Sequence, residues 1–183
     1  MIADHIKYLK SLIETKITMR DGTGSPLAAR FFEVYPDAAT ISKSLPCAAL
    51  RHLPGKNSFH GGYDRSVKSG DEIAKVRKLY DAESLYQVDF YSKDVYDFIE
   101  RDGTYLGYLN QFVKLLVDEP RFPAADGSYI ESEPGAFGVI DDETLITDGI
   151  KMAYCRVLVH DGVYKSETVP AMPGDIENFH IEV

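Results

Sequence analysis

The chain of 183 residues is of a size to fill a single domain, and its 44% hydrophobic and 27% charged content is that of a folded globular protein. No run approaches the length of apolar sequence that a membrane helix needs, and the first residues mix acids and lysines with apolar positions as a secretory signal does not. The net charge of −9 argues against a protein that grips nucleic-acid phosphates. In chain order, Ile2, Ile6, Leu9, Leu12 and Ile13 recur at helical spacing with Asp4, Lys7, Lys10 and Glu14 opposite, so the first ~17 residues are expected to form an amphipathic helix. Gly22, Gly24, Ser25 and Pro26 break it. FFEVYPDAATI reads as strand or loop, with Pro36 against a central strand, and LPCAALRHLPG as a strand of about five to seven residues. GKNSFHGGYDRSVKSGDE has the composition of an exposed loop or hairpin tip.

Beyond it, AKVRKLYDAESLYQVDFYS alternates Tyr86, Val88 and Phe90 against Gln87 and Asp89, as one long strand or two interrupted near Asp81 to Glu83. VYDFIERDGTYLGYLNQFVKLLVDE carries an apolar stripe from Val95 to Val117 and is expected to be the central helix, with Gly103 and Gly107 weakening its middle. Asp94 is placed to cap it, with Asp97 and Glu100 near its positive end, which gives Asp89, Asp94 and Asp97 a structural rather than catalytic reading. PRFPAADGSYIESEPG reads as a long irregular stretch. FGVIDDETLITDG and IKMAYCRVLVHDGVYKSETV follow as two closing strand-like segments. The expected fold is therefore α+β, a four- to five-stranded, mainly antiparallel sheet with two main helices packed on one face. Residues 1–169 make a single domain and 170–183 a C-terminal extension or arm.

Chemistry is sparse in this pattern. Cys47 and Cys155 lie in apolar runs and read as reduced core thiols rather than as a disulfide or metal ligands. His5, His52, His60, His160 and His180 include no pair at the spacing by which one element builds a metal face, and read as surface or strand-edge residues. Ser58, His60 and Asp64 lack the setting of a nucleophilic triad, and Gly61-Gly62 lacks a phosphate-binding pattern. Asp141-Asp142-Glu143 is the densest acid cluster; contiguous acids at a turn read as a solvated bend, with a metal-dependent enzyme using them beside His160 or His52 as the alternative. Tyr63, Tyr129 and Tyr164 fall in turns or loops, which favours an interface role. Acidity is concentrated, with nine acids against Arg121 alone between Asp118 and Asp148. The expectation is a structural or binding protein with no catalytic residues, cofactor or metal.

The first helix, the LPCAALRHLPG strand, the tip loop, the strand ending in LYQVDFYSKD, the helix VYDFIERDGTYLGYLNQFVKLLVD and two closing strands together resemble the tail terminator (tail-completion) proteins of long-tailed bacteriophages, over about Ile2 to Val169. The resemblance implies a virion protein, assembled in the host cytoplasm into a ring, hexameric in that family, that caps the tail tube and joins it to the head or neck. Its implied partners are further copies of itself, the tail tube protein, neck or connector proteins and, in a contractile tail, the sheath protein; neither membrane nor sequence-specific nucleic acid is among them. By position, contacts would fall in Asn57 to Ser69 and Arg121 to Gly138, with Phe59, His60, Tyr63, Arg65, Arg121, Phe122 and Tyr129 as candidates. The acids of Asp118 to Asp148 would suit a lumen through which DNA slides. The linker Met19 to Thr40 and the tail from Pro170 exceed the smallest members, which leaves a neck, collar or head–tail adaptor of similar fold as the alternative station.

Overall fold

The computed structural model describes residues 2–20, 25–59, 63–69, 72–101, 105–123, 129–140 and 149–170. They form two compact units, one from the described residues of Met1–Lys56 and Glu83–Asp161, the other from those of Asn57–Ala82 and Gly162–Val183.

In the first unit, helix α1 (Ile2–Lys16) buries His5, Leu9, Leu12 and Ile13, a stripe at helical period. Burying its three aliphatics contributes about 1.5–3 kcal/mol each. Strands β1 (Thr18–Arg20) and β2 (Pro26–Ala28) pair with each other antiparallel. Strand β3 (Arg30–Phe32) pairs parallel with β4 (Cys47–Phe59). Parallel neighbours need a crossover, which the short helix α2 (Ala38–Lys43) supplies. Asp37 starts that helix, its carboxylate accepting from the Thr40 N–H at 2.7 Å.

Strand β5 (Tyr63–Ser69) belongs to the second unit and pairs antiparallel with β6 (Glu72–Ser92) from Ser69↔Glu72 to Tyr63↔Arg77. After β6 come a 3-10 turn (Val95–Asp97), the two-residue strands β7 (Glu100–Arg101) and β8 (Tyr105–Leu106), and helix α3 (Tyr108–Asp118). Strands β9 (Arg121–Pro123), β10 (Tyr129–Ile140) and β11 (Lys151–Pro170) follow. The main sheet runs β3-β4-β6-β11-β10-β9, with β5 attached to β6. The β10–β11 ladder extends from Glu131↔His160 to Ile140↔Met152, with a bulge between Pro134 and Phe137.

Strand alternation divides the interior. Ala48 and Leu50 of β4, Tyr86, Val88 and Phe90 of β6, and Ala153, Cys155, Val157 and Val159 of β11 form one core with α1 and α3. Cys47, Ala49 and Tyr91, with Ile150 and Met152 packed beside them, form a second with Ile41 of α2. Tyr8 fastens α1 to the end of α3, its hydroxyl donating to the Glu119 carbonyl at 2.7 Å.

The expected fold class needs correction. The protein is α+β, but its described residues form three helices and a large mixed sheet of six strands in line, with a parallel β3–β4 pair, instead of a four- to five-stranded antiparallel sheet under two helices. Three physical reasons account for the difference. Segments of loop-like composition, Gly55 to Phe59, Tyr63 to Ser69, Arg121 to Pro123 and Tyr129 to Gly138, contribute strand because neighbouring backbones satisfy their hydrogen bonds. Pro36-Asp37 opens a helix that its short, weakly periodic sequence hides. Finally, the stripe from Val95 to Val117 does not make one helix: Asp94 caps only the 3-10 turn, accepting from the Tyr96 N–H at 3.0 Å. The helix proper waits until Tyr108, because Gly107 lies against the backbone of Phe98 and Ile99.

Candidate functional site

Side chains of like parity on β4 and β6 share a face of the sheet, and on the α2 face this brings Arg51 together with Gln87, Asp89 and Tyr91. With Tyr35, Pro36 and Ala38 on the approach to α2, and with Ile41, Ile140, Ile150 and Met152 as an apolar floor, Arg51, Gln87 and Tyr91 line a cleft of about 460 Å³. Mostly apolar walls with a few placed polar groups are the usual makeup of a binding cleft.

Asp89 organises the polar wall. Its carboxylate is fully buried and accepts from Arg51 Nε at 2.7 Å on one oxygen and from Gln87 Nε2 at 2.7 Å on the other. Arg51 also donates through Nη2 to the Tyr35 hydroxyl at 2.5 Å, and its guanidinium carbon lies 4.1 Å from the Tyr35 ring centre. The Tyr35 hydroxyl in turn meets that of Tyr91. Partial burial works against the Arg51 charge, but the Asp89 carboxylate and Tyr35 outweigh it and hold the guanidinium protonated above its ordinary range. Burial, then the Tyr35 hydroxyl, push the Tyr91 phenol well above its ordinary value, so it stays a neutral hydrogen-bonding group. Among the described residues, Arg51 Nη1 and Gln87 Oε1 have no protein hydrogen-bond partner, which leaves N–H donors and an acceptor beside the apolar floor.

A second polar constellation is sealed inside the other core. His5 Nε2 lies 3.0 Å from Asp161 Oδ2 and His5 Nδ1 lies 3.0 Å from the Tyr86 hydroxyl, all three residues being buried. A carboxylate accepts, so the ring donates from Nε2 to Asp161, and Nδ1 is paired with the Tyr86 hydroxyl. Both ring nitrogens are satisfied within the buried core, which makes the group a tie between α1, β6 and β11. His5→Ala is expected to cost about 3 kcal/mol by leaving Asp161 and Tyr86 short of a partner in a cavity, and Tyr86→Phe about 1–2 kcal/mol, measured by urea unfolding.

The positions expected to form the interface fall in both units. Phe59 ends β4, while Tyr63 and Arg65 lie in β5 opposite Arg77 and Val76. His60, and the acids Asp141-Asp142-Glu143, lie outside the described residues. Arg121, Phe122 and Tyr129 are brought together on the β9–β10 ladder, where Arg121 is exposed and bonds Glu131 at 2.6 Å and Tyr129 is 63% exposed. Phe122 is buried and stacks on Tyr8 with ring centres 3.8 Å apart, so it packs the core and presents no contact surface.

Of the histidines read as surface residues, His5 is buried instead; its place in line with Leu9 and Leu12 at helical spacing is the signal that marks it. His52 is exposed and stacks on Tyr86, and His160 is exposed, 3.5 Å from Glu133. No group of three metal-ligating side chains is assembled among the described residues, and no helix among them is long and apolar enough to cross a membrane.

Cys47 and Cys155 are buried, and burial pushes their thiols up to about 11 and about 12. At about pH 8 their thiolate fraction is then on the order of one in a thousand or less. Neither is expected to react with a thiol-specific disulfide reagent in the native protein, and both are expected to react in denaturant.

No protein-family model matches the sequence, and no curated protein matches it.

Proposed function

We propose that the protein is a structural component of a long-tailed bacteriophage virion, a tail terminator that assembles as a hexameric ring on the end of the tail tube and joins the tail to the head or neck, working through interfaces and not through catalysis. The observation that carries this reading is the second compact unit, whose described part consists of strand alone: the end of β4, all of β5, the first half of β6 and the end of β11. Strand edges and faces are surfaces that proteins ordinarily hide or use for assembly. The reading is also supported by the elements themselves, among them an amphipathic first helix, a long strand carrying Gln87 to Tyr91, an Asp94-capped corner, the helix α3 and three closing strands. Exposed apolar side chains on the first unit, Val34, Val117, Tyr129 and Phe137 among them, are further surface for contacts.

The test is assembly. Mass in solution and negative-stain imaging should give a ring, alone or on addition of purified tail tubes, and tubes grown in its presence should stop at a capped end. A monomer that neither closes into rings nor binds tube ends would overturn the proposal. Binding to the head connector with no effect on tubes would reassign the protein to the neck.

A further inference from the structure

The cleft on the α2 face has chemistry of its own to be matched. Arg51 Nη1 offers N–H donors and Gln87 Oε1 an acceptor, and both side chains are held in place by the same buried Asp89 carboxylate. Beside them lies an apolar floor of Ile41, Ile140, Ile150 and Met152, in a volume of about 460 Å³. A free carboxylate suits this wall poorly, because Asp89 already offsets the Arg51 charge and Gln87 Oε1 repels a second anion. A purely apolar guest would leave the donor and the acceptor unsatisfied as water is expelled. A residue in extended conformation presents its own N–H and C=O toward one side, and its neighbours' side groups can settle on apolar surface.

We propose that this cleft is a receptor for an extended apolar peptide segment of a partner protein, with a backbone carbonyl of that segment accepting from Arg51, the adjacent N–H donating to Gln87 Oε1, and an aliphatic residue resting on the isoleucine and methionine floor. The proposal rests on the assembly reading only in taking the guest from a protein; the pairing of donor, acceptor and floor stands without it.

The experiment uses the protein alone, with isotope-labelled isoleucine and methionine methyl groups followed by NMR, and N-acetyl-isoleucine N-methylamide as the probe. The expected result is saturable shifts of the Ile41, Ile140, Ile150 and Met152 methyls. Binding should be about tenfold weaker for the matching ester, in which an ester oxygen replaces the N–H of the isoleucine residue, and for Gln87→Met. Ala38→Trp fills the mouth of the cleft from the first residue of α2 without touching Asp89, and should abolish the shifts while the spectrum of the α1 and α3 core is unchanged. The inference is overturned by equal binding of amide, ester and the free acid N-acetyl-isoleucine, by shifts that persist in Ala38→Trp, or by no saturable shift at all. Because the readout needs no ring and no tail tube, its failure is distinct from a failure of assembly.

Discussion

Gly107→Ala is expected to destabilise the protein by more than about 3 kcal/mol, beyond the usual cost of overpacking, because the new methyl group has nowhere to go. An added Cβ would lie 2.2 Å from the Phe98 carbonyl carbon, 2.3 Å from the Ile99 nitrogen and 2.5 Å from the Ile99 oxygen, all backbone atoms. The Gly107 N–H donates to the Ile99 carbonyl at 2.5 Å, so relief of the clash would also stretch that bond. Phe98, buried and edge-on to Tyr108, would be displaced with it. Gly55→Ala should act in the same direction, its Cβ falling 2.0 Å from the Glu83 carbonyl oxygen across the β4–β6 contact. Gly138→Ala is the control, since its nearest neighbour would be the Tyr154 ring edge at 3.8 Å, and should leave stability within about 0.5 kcal/mol. Thermal unfolding reads the contrast, a loss of about 3 kcal/mol lowering Tm by roughly 6–12 °C in a protein of this length. Near-native melting of Gly107→Ala would overturn the close approach of Gly107 to the Phe98–Ile99 backbone as the cause.

Arg51→Met is expected to cost about 3 kcal/mol, and the double variant Arg51→Met with Asp89→Leu to recover most of that loss. The asymmetry follows from exposure. The side group of Arg51 is 44% exposed while that of Asp89 is 0% exposed. Removing the cation therefore strands a carboxylate in the interior with only Gln87 beside it, and removing both charges leaves an apolar pair against Tyr91 and the α2 face. Asp89→Leu alone should cost less than Arg51→Met, because an unpaired guanidinium at the cleft mouth still reaches water and the Tyr35 hydroxyl. Urea unfolding of the four proteins gives the coupling directly. Equal losses for the two single variants would show that Asp89 is better hydrated than its burial indicates.

Much of the first helix and of the central strands was legible in the residues. The stripe of Leu9, Leu12 and Ile13, the alternation through Tyr86, Val88 and Phe90, and the closing strand around Cys155 announce buried faces at helical or strand period. What composition hid is pairing. Tyr63 to Ser69 reads as a tip because its residues are mostly small and polar, yet its backbone is matched to β6 from Tyr63↔Arg77 to Ser69↔Glu72. Nothing local in FFEVYPDAATI distinguishes a crossover helix from a bend, and the parallel β3–β4 pair that it permits was invisible for that reason. The cleft was equally hidden: Arg51 and Asp89 lie on different strands and meet only through the register of the sheet. Tyr129 and Arg121, chosen from loop-like sequence, do share a ladder, whereas Phe122 between them turns inward on the period of two that a loop reading sets aside.

The tie between His5 and Asp161 joins positions separated by 156 residues, from the first helix to the strand that lies between β6 and β10 in the sheet. On a ribosome, α1 is therefore made long before its resting place exists. Its leucine face has to wait, exposed or sheltered by a chaperone, until β11 has emerged and taken its place. Such distant closure raises contact order and slows folding, so the interval of synthesis before Asp161 appears is the period in which this protein is most open to aggregation.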